Sequence, residues 1–236
     1  MMVIVLSLLA SWRGVVVLQH QSPLLAGVGP CEPAGTCPGL RASVLAMTVD
    51  VEVVGDDLAA GRLCCPECDR PLVRWGFARE REVRMLDGVR SLRPRRAHCH
   101  GCERTHVLLP AFSVPRRRDG AEVIGEALLA KAQGAGHRRI AARLGRPPGT
   151  VRGWLRAFAR RAETVSSCAR HWTHAIDAVS LGGDTPAGSP LADAVEAIGS
   201  LHRACRLGLR TRLGPWELAV ALTGLLHGRP RDPPGF

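Results

Sequence analysis

The sequence predicts an α+β chain: a small β ribbon closed by cysteines, then three helices in a helix-turn-helix arrangement, then a helical C-terminal segment. Two Cys-x-x-C pairs, Cys65-Pro66-Glu67-Cys68 and Cys99-His100-Gly101-Cys102, bracket a stretch of alternating polar and apolar residues. Gly136 to Arg161 reads as two short helices separated by a glycine- and proline-bearing turn. Charge is concentrated in the same region. Residues 62–163 hold 23 Lys and Arg against 10 Asp and Glu, whereas the rest of the 236-residue chain holds 9 against 11. A basic block between near-neutral flanks points to a polyanion partner.

The cysteines set the first domain, expected over residues 47–110. Four thiolates at Cys65, Cys68, Cys99 and Cys102 make a closed tetrahedral donor set, the arrangement of one structural zinc ion, and leave no position for a reactive water. Cys64 adjoins Cys65 and competes with it for the ligand role; the C-P-x-C form favours Cys65. With that set full, His98, His100 and His106 read as surface residues or phosphate contacts rather than ligands. Between the pairs, Leu72 to Phe77 and Glu82 to Leu86 alternate in the manner of strands. Asp87-Gly88 signals a hairpin, Val89 to Arg96 returns toward the second pair, and His106 to Leu109 supplies a further strand. Nine cysteines without a convincing secretory signal fit a reduced, cytoplasmic setting.

Residues 1–46 are expected to be a disordered or untranslated leader, with Met47 as the start. Met1 to Ala10 is apolar but has no basic residue before it and is too short to span a bilayer; a membrane anchor is the alternative reading of this run. Val49 to Val54 reads as a short strand, followed by an acidic turn at Asp56-Asp57.

A basic linker, 111–118, ends in Arg116-Arg117-Arg118, which is either a solvated charge run or a phosphate clamp or minor-groove arm. The helix-turn-helix is expected over 119–163, as helices 119–132, 138–144 and 150–161. Asp119 with Glu122 resembles a capping box. Ile140 and Leu144 share one helical face, Gly145 ends their helix, and Arg146-Pro147-Pro148-Gly149 cannot continue it. Thr150 is placed to cap the next helix, in which Val151, Leu155 and Phe158 face inward. The opposite face carries Arg152, Gly153, Arg156 and Arg160. Such a helix enters the DNA major groove. Arg152 and Arg156 would approach base edges, while Arg138, Arg139, Arg143 and the Arg116 to Arg118 triplet would contact phosphates. The plainer reading is a helical hairpin with a solvated basic face. Lys131 is the only lysine among 32 basic residues, so part of the arginine excess reflects a GC-rich coding sequence.

Residues 164–236 read as helices over Val165 to Val179, Leu191 to Leu207 and Pro215 to Leu226. Leu181 to Pro190 is a linker and Arg229 to Phe236 a frayed tail. These helices either cover the helical domain or form a homodimer surface. Their acids, Asp177, Asp184, Asp193, Glu196, Glu217 and Asp232, are scattered with no strands around them, and no Walker loop, nucleophile elbow or H-E-x-x-H occurs. The chain is therefore not expected to be an enzyme.

CPEC, a basic strand region, CHGC, and then GHRRIAARLGRPPGTVRGWLRAF resemble the DNA-binding N-terminal region of bacterial insertion-sequence transposases. There a zinc ribbon precedes a homeodomain-like helix-turn-helix of the form G-x-S-x-R-x-I-A-x-x-L-G-x-S-x-x-T-V. They also resemble stand-alone ribbon–helix-turn-helix proteins of high-GC bacteria. The resemblance covers about Leu63 to Glu163. It implies Cys65, Cys68, Cys99 and Cys102 as zinc ligands, Thr150 to Arg156 as the start of the reading helix, and duplex DNA as partner. His137 in place of serine and the stiff Pro147-Pro148 depart from the pattern and leave the angle of the reading helix open. A transposase remnant or a regulator, cytoplasmic and nucleoid-associated, is the main expectation. The alternatives are the targeting subunit of a split recombinase, whose catalytic chain is separate, and an RNA- or ribosome-associated ribbon protein.

Overall fold

The computed structural model describes residues 43–47, 51–61, 63–177 and 188–226. A four-stranded sheet is built from β1 (Ser43–Met47), β2 (Val73–Phe77), β5 (Arg95–Cys99) and β6 (Arg104–Pro110), in the order β1-β6-β5-β2. β2, β5 and β6 are antiparallel neighbours, and β1 runs parallel to β6 with Ser43 opposite His106 and Met47 opposite Pro110. The sheet thus reaches four residues into the expected leader, and Met47 ends a strand rather than opening the fold. An apolar run, Val44-Leu45-Ala46, is long enough to pair with the outer edge of β6, which short-range composition could not reveal. Residues 1–42, with the rest of the expected leader, lie outside the described residues.

Helix α1 (Val51–Ala59) replaces the strand and acidic turn expected there. Val54 and Leu58 lie four apart, so one face of the helix carries both into the core formed by Leu63, Leu72, Ala97 and Leu108. That packing overrides the strand preference of the valines. Arg74 of β2 donates to the Gly55 carbonyl (2.7 Å), tying the helix to the sheet edge. Gly76, at φ +81°, sits in a bulge where Arg74 pairs with Ala97 but Phe77 with Arg95.

Strands β3 (Arg81–Arg84) and β4 (Val89–Leu92) form the expected hairpin. Asp87-Gly88 lies in its turn, with Gly88 at φ +145°. Val83, Met85 and Leu92 pack with Leu109 in a second small core.

Residues 111–118 are not a linker. Ala111, Ser113 and Val114 are buried, and Arg81 of β3 donates to the Ser113 hydroxyl (3.0 Å) and the Arg117 carbonyl (2.8 Å). The segment is pinned further by the pairings of Ser113 with Gly120 and Arg84 with Asp119. Asp119 does not cap the next helix. Its buried carboxylate accepts from Arg84 (2.8 Å) and from Arg146 (2.6 Å), and Gly120 occupies the cap position instead.

The helical domain consists of α2 (Ala121–Ala132), α3 (His137–Leu144) and α4 (Pro148–Ala159). Gly145 closes α3 in the left-handed conformation (φ 61°), as the sequence predicts. Pro147 precedes α4 and Pro148 is its first residue, a position that needs no amide donor. Thr150 is therefore inside the first turn, its own N–H bonded to the Pro147 carbonyl (3.0 Å), and is not the cap. Val151, Leu155 and Phe158 face inward as expected, and Trp154, unassigned from the sequence, joins them.

α5 (Ala162–Ile176) and α6 (Pro190–Leu209) pack on each other. α7 (Pro215–Leu218), which runs on through a π-turn at Ala219–Thr223, packs against both α2 and α6. Ile198, Trp216, Val220 and Leu225 complete the core of the helix-turn-helix. A Cβ on Gly125 of α2 would lie 2.1 Å from the Trp216 ring, so glycine is required for this docking. These helices cover the helical domain. Ala111 packs among Trp172, Leu218 and Leu222, joining the ribbon side to the same body. The expected linker 181–190 is mostly, and the tail wholly, outside the described residues.

Removing the charge of a buried carboxylate that pairs with two guanidinium groups, one of them on a side chain 39% exposed, costs about 1–3 kcal/mol. Asp119→Asn is accordingly expected to lower the unfolding free energy by ~1–3 kcal/mol in urea denaturation. A loss below about 1 kcal/mol would show that the two ion pairs do not organise the fold.

Candidate metal centre and nucleic-acid interface

Both Cys-x-x-C pairs sit on turns of one design. The first follows the bridge between Cys64 and Pro71, and the Cys65 carbonyl accepts from the Asp69 N–H (2.9 Å). The second leaves the end of β5 at Cys99. In each turn the acid after the second cysteine, Asp69 or Glu103, is left-handed at φ 55°. A side chain at Gly101 would meet Arg70 Cγ at 2.7 Å and Cys68 Sγ at 3.3 Å, so the two turns close on each other only with glycine there.

The turns bring Cys65, Cys68, Cys99 and Cys102 together, with all four sulfurs within 4.8 Å of one another. Cys65 Sγ lies 3.5 Å from Cys102 Sγ, and Cys68 Sγ 3.3 Å from Cys99 Sγ. Cys64 is outside this group, so the pairing register falls on Cys65. The cluster can hold one metal ion. Burial pushes the Cys65 thiol well above its usual range and Cys68 up to about 11. At Cys99, burial is outweighed by the N–H groups of Cys102 and Gly101 and by Cys68, and the thiol falls below its usual value. Four sulfurs packed this closely, two of them reluctant to ionise, match a set that a cation must neutralise.

His106 was expected at the surface. It is fully buried instead, with Nε2 3.4 Å from Cys65 Sγ. Burial holds its pKa below the ordinary value, so the ring is neutral. Were a bound cation to ionise Cys65, its thiolate could only accept, and Nε2–H would then support the ligand from behind. Pairing across β5 and β6 places His106 opposite Ala97 on the core face, a long-range relation absent from local sequence. His98 is also buried, stacked on Trp75 at 4.6 Å, whereas His100 is exposed.

The second candidate surface is the outer face of α4. Arg152, Gly153, Arg156 and Arg160 are all exposed there, and none of the three arginines takes part in an ion pair among the described residues. Thr150 is half-buried at the start of the face. A Cβ at Gly153 or Gly149 would meet nothing within 4 Å, so no packing requirement explains either glycine. Arg138 and Arg139 are exposed on α3. Arg143 is partly committed, 3.7 Å from Glu126. The arginine triplet divides: Arg116 and Arg118 are exposed, while Arg117 is half-buried. Together they line a cleft with Arg79, Arg81, Glu80 and Glu82, so the triplet is part of the ribbon's wall rather than a free arm.

Residues 65–143 match a family described as a domain of unknown function (DUF6431), and residues 123–165 match a homeodomain-like domain. The first match runs from the Cys65 turn through α3 without a break at the expected linker. The second covers α2, α3 and α4 and supports the helix-turn-helix. No curated protein and no solved structure matches the chain significantly. Among the described residues no helix is long and apolar enough to cross a membrane.

Cys65→Ser is expected to abolish metal retention at the thiolate cluster, and Cys64→Ser to leave it at the wild-type level, by elemental analysis of protein purified without chelators. The reverse pattern would move the ligand register to Cys64.

Proposed function

We propose that this chain is a zinc-stabilised helix-turn-helix protein that binds duplex DNA, either transposase-derived or a transcriptional regulator, and carries no catalytic domain of its own. The observation that carries the reading is the exposed face of α4. Three arginines without ion-pair partners among the described residues flank a glycine whose added Cβ would meet nothing within 4 Å. A mid-helix glycine costs roughly 0.5–1 kcal/mol relative to alanine. Its use here is to let a phosphate or base edge approach the backbone. The homeodomain-like match over the same helices supports this.

In this reading α4 lies in the major groove, with Arg152 and Arg156 on base edges. Arg138, Arg139, Arg116 and Arg118 meet phosphates and make binding salt-dependent. Arg143 must leave Glu126 to join them. Zinc is the ion that four thiolates with no open position select, and it contributes folding free energy rather than chemistry. The protein then acts in the cytoplasm on the nucleoid. A separate catalytic chain remains a compatible partner.

Selection from a random duplex-DNA library with the full chain at near-physiological salt tests the reading. An enriched motif is expected. Arg152→Ala/Arg156→Ala should lose it, since each bidentate arginine–guanine contact is worth about 1–3 kcal/mol. Uniform retention of all duplexes, unchanged in the double variant, would overturn sequence readout by α4 and favour folded RNA as the partner. Gly153→Ala separates fold from function. It is expected to raise thermal stability by the equivalent of ~0.5–1 kcal/mol while weakening binding to the selected duplex. Equal or tighter binding by that variant would remove the close-approach argument.

A further inference from the structure

The segment His98-Cys99-His100-Gly101-Cys102-Glu103 interleaves two sets of donor groups, and the thiolate cluster uses only one of them. Side chains alternate along β5, so Cys99 points to the thiolate cluster and His98 to the opposite face. There His98, His100 and Glu103 each present a donor atom, all within 4.8 Å of one another. His98 Nε2 is 3.3 Å from Glu103 Oε2, and the His98 and His100 rings meet edge to face at 4.9 Å. His98 is 6% exposed, clamped on its other side by Trp75, and its Nδ1 has no hydrogen-bond partner among the described residues.

We propose that His98, His100 and Glu103 form a second metal site, for a divalent transition ion such as Zn2+, Co2+ or Ni2+, on the face of the second turn opposite the thiolates. Two imidazoles and a carboxylate are the donor class those ions prefer. Metal–ligand bonds of about 2.0–2.2 Å place neighbouring donors roughly 3–3.5 Å apart. His98 and Glu103 already stand at that separation. His100 and Glu103 are exposed side chains on a turn and can close the remaining distance, while buried His98 provides the fixed anchor. The same arrangement argues against a phosphate: Glu103 sets a carboxylate against His98, and His98 has almost no surface to offer an external anion. Three protein donors leave a coordination position for water or a group from a partner, so this site is open where the thiolate site is closed.

The test is a Co2+ titration of the full chain, with bound metal measured by equilibrium dialysis and elemental analysis. Two equivalents are expected. The first develops thiolate-to-cobalt charge-transfer absorption; the second adds ligand-field absorption without further charge transfer. His100→Gln and Glu103→Gln both change exposed residues and leave the fold intact. Each should weaken the second equivalent by at least the 10–100-fold that loss of a mere outer-shell partner costs, with the first equivalent unchanged. Binding of a single equivalent by the wild-type chain would overturn the proposal. So would a second equivalent retained at full affinity by His100→Gln/Glu103→Gln, which would mark it as nonspecific.

Discussion

The carboxylate of Asp119 is a buried point at which the hairpin of the ribbon and the turn of the helix-turn-helix meet, beside the apolar contact that Ala111 makes with the helices. Arg84 reaches it from the β3–β4 hairpin and Arg146 from the turn between α3 and α4. Asp119 is almost wholly buried and Arg146 mostly so, while the Arg84 side chain is 39% exposed, so the pair with Arg146 is the less screened of the two. The backbone reinforces them: the Arg84 N–H donates to the Arg118 carbonyl and the Gly120 N–H to the Arg84 carbonyl. With two partners from opposite sides, the hairpin and the helix-turn-helix turn are fixed to a common origin.

The ribbon alone has little apolar material with which to hold that position. Its core rests on Val54, Leu58, Leu63, Leu72, Ala97 and Leu108, with the cysteine sulfurs packed among them. A domain this small depends on a staple, and a filled thiolate cluster would provide one next to those side chains. The helical half is different. Trp154, Phe158, Ile124, Leu128 and Trp216 give it a large continuous core, to which α6 and α7 contribute. Loss of a bound ion would therefore loosen the ribbon first.

What was legible in the sequence was whatever a local rule decides. Cys65, Cys68, Cys99 and Cys102 converge because each pair's spacing fixes its own turn. Gly145 and Asp87-Gly88 act where a left-handed residue or a hairpin needs them. The inward stripe of α4 follows from the helical period alone. Most of the misreadings share one cause, which is competition from distant partners. Asp119 followed by Glu122 looks like a cap whether or not Arg84 and Arg146 exist, and in the folded chain the arginines take the carboxylate. Val49 to Val54 favours a strand until a core accepts Val54 and Leu58 four residues apart. His106 carries no local mark of its contact with Cys65, forty-one residues away in sequence. Thr150 is an apt cap residue, but the helix begins earlier because Pro148 already has the φ angle of a first turn.

The same reasoning bears on the angle of α4, which Pro147-Pro148 left open. Two consecutive prolines remove two backbone donors and restrict φ on both sides of the turn. Such a turn is stiff, but stiffness alone does not choose an orientation. Arg146 supplies the choice. Its guanidinium is held by Asp119 while donating also to the Leu144 carbonyl at the end of α3 (3.2 Å). The residue just before the two prolines is thereby anchored to the ribbon-side loop and to the preceding helix at once. The direction in which Arg152 and Arg156 project follows from that anchor through about one and about two turns of rigid helix. A duplex reader of this form would owe its docking angle to a carboxylate that never touches the duplex.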